Sequence, residues 1–276
     1  MKIEPYQQKR LMYTKKRLYV VNDIDDDVID ENTDFTLGSV SKVFTAIVSL
    51  LLDQEGVLSL EDPVDKYLPS KKLKGIKIID LINHKSGLTR DSDMFHKGFE
   101  KEFKNELELF KIFEKEKINT GESGKYSYSN LGYQILSAVL EKATGVDFDQ
   151  IVKEKLFDPL KMKDSGYKKS KTILYEFNKK KITRKQQNET NSVKGAGGGR
   201  STVSDLLKFR KFHTLLDKKS ISKLETFHFF NFNKEEDLWV LYKPGGIYGI
   251  ATVLRFKYNK DLICKDEFII FRTNTM

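Results

Sequence analysis

Apolar positions along the chain fall into a few patterned runs separated by polar, turn-rich stretches. Residues 17 to 21, RLYVV, read as a short strand, and the acidic NDIDDDVIDENTD that follows reads as a turn-rich connection into a second extended piece. From Ser39 the pattern changes. VSKVFTAIVSLLLDQEG is apolar on nearly every face and stops at Gly56, which predicts a central buried helix closed by a glycine cap. EDPVDKYLPS is a proline-marked loop, and KGIKIIDLINHKSGL a strand or turn running into a short helix. Phe99 to Lys117 alternates Lys and Glu with apolar residues at helical spacing, which predicts an amphipathic surface helix. Leu131 to Ala143, apolar at 131, 135, 136, 139 and 140 and followed by Gly145, predicts a second capped helix. Residues 168 to 194 are polar and lysine-rich and read as a long loop over the surface or a cleft. GAGGGRS then breaks the chain before a helix in SDLLKFRKFHTLL, with Ser204 as its expected N-cap. WVLYKPGG, YGIATVLRF and EFIIFRT read as strands of an antiparallel finish.

Strands therefore lie at both ends and helices in the middle. The expected fold class is α/β of the α+β kind, an antiparallel sheet built from N- and C-terminal strands, flanked by helices and interrupted by a mostly helical insertion. The expected division is a sheet domain of residues 1–52 plus 196–276 and an insertion of residues 53–195, with a cleft at their junction. A length of 276 residues fits, being slightly under two average domains.

Composition removes several function classes. With 39% apolar and 32% charged residues, 19 Phe and 12 Tyr, the chain can bury a core and is not disordered by composition. Its net charge of +9 comes almost wholly from lysine, since only eight of the 49 basic residues are Arg. Base readout favours the planar arginine fork, so no nucleic-acid partner is expected, and any affinity for anionic cell-surface polymers or lipid headgroups would be non-specific. The single cysteine, Cys264, excludes an internal disulfide and a CxxC site. His84, His96, His213 and His228 lack the HExxH spacing, so neither a metal nor a cofactor is expected, and hydrolysis here would use side chains. No apolar run approaches a membrane span, and MKIEPYQQKRLMYTKKRLYVV lacks the apolar core of a signal peptide. The expectation is a cytoplasmic protein as the chain stands, or an extracytoplasmic, cell-wall-associated one if an export signal has been removed.

Three short strings could carry chemistry. Ser39-Val40-Ser41-Lys42 places a serine at the start of a buried helix with a lysine one turn later on the same face. A helix N-terminus favours negative charge developing on the serine oxygen, and an apolar setting pushes the lysine pKa down so that it can act as a base. Ser-x-x-Lys recurs at Ser165 and Ser220, but only Ser39 follows a glycine and opens an apolar helix. Tyr128-Ser129-Asn130 ends a Gly/Ser loop before a helix. A phenol near two ammonium groups can be drawn toward phenolate and relay a proton, and the amide can bind a substrate carbonyl. Lys243-Pro244-Gly245-Gly246 sits on an expected strand, where the lysine could hold a substrate carboxylate and the glycines admit a ligand backbone. Each string has a plainer reading: a capping serine with a snorkelling lysine, an aromatic loop capped by Asn130, and a Pro-Gly turn beside an exposed lysine.

Their order and context carry more than any one of them. The sequence resembles the serine β-lactamase and penicillin-binding-protein superfamily, in the branch of class C β-lactamases, D-alanyl-D-alanine carboxypeptidases and related esterases. FTLGSVSKVFTAIVSLLLDQEGVLSLEDPVDKYLP resembles its nucleophile helix and following loop, LINHKSGL its Leu-x-x-His-x-Ser-Gly-Leu segment, YSYSNLGYQILSAVLEKATG its tyrosine motif and helix, and GAGGGRSTVSDLLKF its Gly-Gly-x-x-Ser-Thr segment. The match covers roughly residues 33 to 212.

The resemblance implies that Ser39 is the acyl-accepting nucleophile, that Lys42 and Tyr128 share its deprotonation and protonation of the leaving group, and that Asn130, Lys243, Gly245 and Gly246 contact substrate. The backbone N–H groups of Ser39 and Gly246 would form the oxyanion hole, and His84 would be structural. Pro244 stands where relatives carry a hydroxyl or small residue, and FHFFNFNKEEDLWVLY is short and lacks a Tyr-Gly-x-Gly strand. The implied function is a serine hydrolase acting on a D-alanyl peptide or ester or another small ester or amide. The implied partners are a small-molecule or peptidoglycan-type substrate, with β-lactams as covalent ligands. The alternatives are a β-lactamase and a non-catalytic binding or regulatory module that keeps the fold.

Overall fold

The computed structural model describes residues 9–14, 17–22, 30–92, 103–118, 121–167, 173–178, 181–186, 193–247 and 250–273. In chain order these form β1 (Lys9–Thr14), β2 (Arg17–Asn22), β3 (Phe35–Thr36), α1 (Ser41–Gln54), α2 (Ile78–Ile82), α3 (Glu106–Lys115), α4 (Asn130–Thr144) and α5 (Phe148–Val152). There follow β4 (Ile173–Asn178), β5 (Lys181–Gln186), β6 (Arg200–Ser201), α6 (Val203–Phe209), α7 (Lys218–Leu224), β7 (Phe230–Asn233), β8 (Leu238–Ile247), β9 (Ile250–Tyr258) and β10 (Cys264–Thr273).

The main sheet has six antiparallel strands in the order β2-β1-β10-β9-β8-β7, so it draws on both ends of the chain as expected. Strand β9 alternates strictly, with Ile250, Thr252, Leu254, Phe256 and Tyr258 turned inward. On that inner face Phe35 stacks on Phe271 at 4.7 Å, and Phe209 of α6 bridges Phe256 and Phe44 of α1. Helix α1 is buried from Ser41 to Leu52, because the turn Lys194–Gly198, α4, α5 with the segment after it, and α7 pack around it. It ends at Gly56, whose φ of +73° only glycine adopts without strain. Helix α4 likewise ends at Gly145.

Three expectations need correction. The stretch read as a long loop over residues 168 to 194 contains the antiparallel hairpin β4–β5. Its Ile, Tyr, Phe and Thr content suits a pleated surface, and the lysines had masked it. Helix α6 is capped by Thr202, whose side chain accepts from the Asp205 N–H at 3.1 Å, whereas Ser204 lies inside the helix and hydrogen-bonds Asn32. The amphipathic helix expected over Phe99 to Lys117 starts only at Glu106, where the Asn105 side chain caps it by accepting from the Glu108 N–H at 2.9 Å, and it ends at Lys115, residues 99–102 lying outside the described ones. Among the described residues no helix is long and apolar enough to cross a membrane.

Candidate active site

Ser39 lies in the single turn Gly38–Val40 that feeds α1, and two glycines decide how that turn meets strand β8. Gly38 has φ +53°, and a Cβ there would stand 2.9 Å from the backbone of Gly246. A Cβ on Gly245 would stand 2.4 Å from both the Leu37 carbonyl oxygen and Thr252 Oγ1, which are hydrogen-bonded to each other at 2.7 Å. Strand and turn therefore touch backbone to backbone. This brings Lys243 to Gly246 beside the serine.

Lys42 follows on the first turn of α1, fully buried. Its Nζ lies 3.3 Å from Ser39 Oγ, donates to Asn130 Oδ1 at 2.7 Å, and donates to the Ala196 carbonyl. Tyr128, at the end of the loop before α4, places its hydroxyl 2.7 Å from Ser39 Oγ. Asn130 does not cap α4: Ser129 does, its Oγ accepting from the Gly132 N–H at 2.8 Å, which leaves Asn130 free to face Lys42. Lys243 is buried rather than exposed, with Nζ 5.2 Å from the Tyr128 ring centroid and 3.4 Å from His228 Nε2. Ser39, Lys42, Tyr128, Asn130, Lys243, Gly245 and Gly246 thus converge, from three separate stretches of chain.

Burial, then the charge of Lys243, holds the Lys42 ammonium well below the ordinary lysine range, against a smaller opposing pull from Asp91. Burial brings Lys243 down to about 8. The phenol does not behave as the sequence suggested. Burial raises the Tyr128 pKa, outweighing the Ser39 hydrogen bond and the nearby Arg90, so the resting site holds a protonated phenol instead of a phenolate. Burial also pushes His228 down to about 3 and His84 to about 2, so both imidazoles are neutral. His84 supports the tyrosine loop: its Nδ1 accepts the Ser129 N–H at 3.1 Å and its ring lies 4.4 Å from that of Tyr128.

Sequence reasoning missed several participants. Asp91 Oδ1 accepts from Asn130 Nδ2 at 2.7 Å and so fixes which way the amide points. Its segment is strapped to α4 by Asn130 N–H to the Arg90 carbonyl at 2.7 Å and Ser129 Oγ to the Thr89 carbonyl at 2.7 Å. Arg90 places its guanidinium 5.4 Å from the Tyr128 centroid. No local pattern marks Asp91, and the Ala196 carbonyl, like any backbone atom, leaves none.

Known proteins share this fold. A penicillin-binding protein of Bacillus subtilis (strain 168) is 33% identical over 140 residues, which cover 49% of this chain and 30% of that protein. The teichoic acid D-alanine hydrolase of Staphylococcus aureus (strain MRSA252) is 29% identical over 182 residues, 63% of this chain and 44% of that protein. The chain thus spans less than half the length of these curated relatives. Among solved structures, FmtA from Staphylococcus aureus superposes with a TM-score of 0.75 at 24% identity, over 98% of this chain and 78% of that one. The D-amino acid amidase from Ochrobactrum anthropi SV3 does so with a TM-score of 0.77 at 18% identity, over 96% and 85%. These likenesses show a shared fold. The family model described as Beta-lactamase matches residues 14–241, most of the chain, and the chain belongs to that family.

Proposed function

We propose that the protein is a serine hydrolase that forms an acyl-enzyme on Ser39, with a D-alanyl ester or amide as acyl donor. The observation that carries this reading is the contact of Ser39 Oγ with Tyr128 at 2.7 Å and with the buried Lys42 amine at 3.3 Å. The relatives named teichoic acid D-alanine hydrolase and D-amino acid amidase support the substrate class.

The hydrogen bonds fit one direction of proton flow. Asp91 can only accept, so Asn130 turns its NH2 outward and offers Oδ1 to Lys42. A neutral Lys42 amine has two N–H groups. These go to Asn130 Oδ1 and the Ala196 carbonyl, which leaves the lone pair for the Ser39 O–H. The protonated Tyr128 in turn donates to Ser39 Oγ. As Ser39 attacks the acyl carbonyl, its proton passes to Lys42. Tyr128 gives its own proton to the leaving group and is restored from Lys42, so acylation moves one proton in net from Ser39 to the leaving group. The N–H groups of Ser39 and Gly246 serve the oxyanion, a role supported by the backbone contact of Gly38 with Gly246. Lys243 binds a substrate carboxylate.

The test is intact mass after incubation with a fluorophosphonate or a penicillin, for the wild type and Ser39→Ala. An adduct present in the wild type and lost in the variant supports the reading, and folded wild-type protein that takes up neither probe refutes it in favour of a non-catalytic module. Turnover of a chromogenic cephalosporin at rates matching a D-alanyl ester would instead make the protein a β-lactamase.

A further inference from the structure

Further along α4 from Lys42's partner Asn130 lies a second buried polar cluster that the proposed reaction does not use. One buried stripe of α4 is polar along its length: Asn130, Gln134, Ser137 and Glu141. Its first member holds Lys42. Its last two meet Glu106, which opens α3 with only 1% of its surface exposed. Ser137 Oγ donates to Glu106 Oε2 at 3.1 Å, and the Lys194 peptide N–H turns toward the same carboxyl. The Glu141 carboxylate is occupied by the N–H groups of Leu107 and Phe148, both at 2.9 Å.

We propose that Glu106 is a positioning residue for Lys42, acting through the turn Lys194–Gly198. This inference rests on Lys42 being the base. The turn is held at each residue that matters. Lys194 Nζ pairs with Asp149 at 3.1 Å, the Gly195 carbonyl accepts from Thr45 Oγ1 at 2.8 Å, and the Ala196 carbonyl accepts from Lys42. There is no slack at Gly195, where a Cβ would stand 2.7 Å from the Tyr133 carbonyl oxygen and 2.8 Å from Ser137. A close-packed segment passes a displacement on instead of absorbing it. Movement of the Lys194 peptide toward or away from Glu106 therefore reaches the carbonyl that holds the Lys42 amine.

The groups facing Glu106 are Glu141 and Ser137 on α4, Asp149 on α5, Tyr167, and Lys194 on the turn. Burial, reinforced by Glu141, holds the Glu106 carboxyl up to about 8, so it is protonated at neutral pH. Once ionised, it puts a second negative charge beside Glu141 with Lys194 as the near cation, and it pulls the Lys194 N–H. The brace on Lys42 is then set for neutral pH and disturbed in alkali.

The experiment measures the rate of Ser39 labelling by a neutral fluorophosphonate against pH, which avoids reading Lys243 through carboxylate binding. In the wild type the rate rises as Lys42 loses its proton, then falls above about pH 8, and by pH 9 a group titrating there is about nine-tenths ionised. Glu106→Gln is expected to remove the fall and label about tenfold faster than wild type at pH 9, with rates equal at pH 7. Ser137→Ala removes a hydrogen bond that favours the carboxylate, so its alkaline fall moves to higher pH, which gives a second route if Glu106→Gln does not fold. A merely structural role would lower thermal stability without moving either limb. Labelled wild type whose alkaline fall is the same in both variants overturns this inference alone, while wild type that never labels overturns the serine-hydrolase reading beneath it.

Discussion

Replacing Gly245 by alanine adds one methyl group at the place where strand β8 meets the turn carrying Ser39. The new Cβ would lie 2.4 Å from the Leu37 carbonyl oxygen and 2.4 Å from Thr252 Oγ1, where ordinary contact begins at 3.4 Å. Strand and turn must therefore part by about 1 Å, and the 2.7 Å hydrogen bond between those two oxygens is pried open. Overpacking of this size costs about 1–3 kcal/mol, or roughly 2–10 °C in Tm for a chain of this length. The kinetic loss is of similar size in free energy, since a shift of about 1 Å in a positioned group costs on the order of 10²-fold in rate, or about 2.7 kcal/mol. The assay pairs thermal melts with fluorophosphonate labelling rates. Gly246→Ala is the control for stability, because its Cβ meets nothing closer than the Ile250 carbonyl at 3.6 Å and its melt should match wild type. A Gly245→Ala protein that melts and labels like wild type would show that this backbone contact does not set the geometry of the site.

Lys42→Met should abolish labelling, by about 10²-fold or more, while raising stability. The folded Lys42 holds its proton less tightly than the unfolded one, so wild-type stability falls as pH drops from the ordinary lysine value through the depressed folded one, and the gain from Met is largest in acid; melts at pH 5 and 9 check the sign. Lys243 loses its charge near pH 8, so KM for acyl donors bearing a carboxylate should climb about tenfold per pH unit above that point, while KM for donors without one stays flat. Asp91→Asn keeps an acceptor for Asn130 but removes a charge that favours the Lys42 ammonium, so the acid limb of the labelling profile should move to lower pH; an unmoved limb would separate Asp91 from Lys42.

Helices α1 and α4 were legible because their apolar positions repeat and their glycine caps stand out, and the three motif strings were legible because reactive side-chain types stand in them at short, fixed spacing. What was not legible depends on distance in the chain or on burial. Counting the cations near Tyr128 suggested a phenolate, yet desolvation outweighs them, and desolvation cannot be read from a string of residues. Asp91 acts only because its segment is strapped to the start of α4, and Ala196 acts through a carbonyl that every residue possesses. Strand β1, KRLMYT, has little pattern of its own and is a strand because β10 and β2 pair with it. The cap of α6 lay between three hydroxyls in STVS, and the Asp205 N–H three residues on selects Thr202.

Strand β10 lies between β1 and β9, pairing Arg272 with Arg10 on one side and with Ala251 on the other. During synthesis the β1–β2 hairpin must wait until β10 has been made before it finds its neighbour, and a loop of that length closes slowly. Until then β1 and β9 each present an open edge, the kind of surface on which chains aggregate. Covalent labelling of Ser39 is thus also a folding assay, and a ribosome-bound nascent chain halted before Cys264 emerges should not take up the probe even though every residue of the proposed site has already been made.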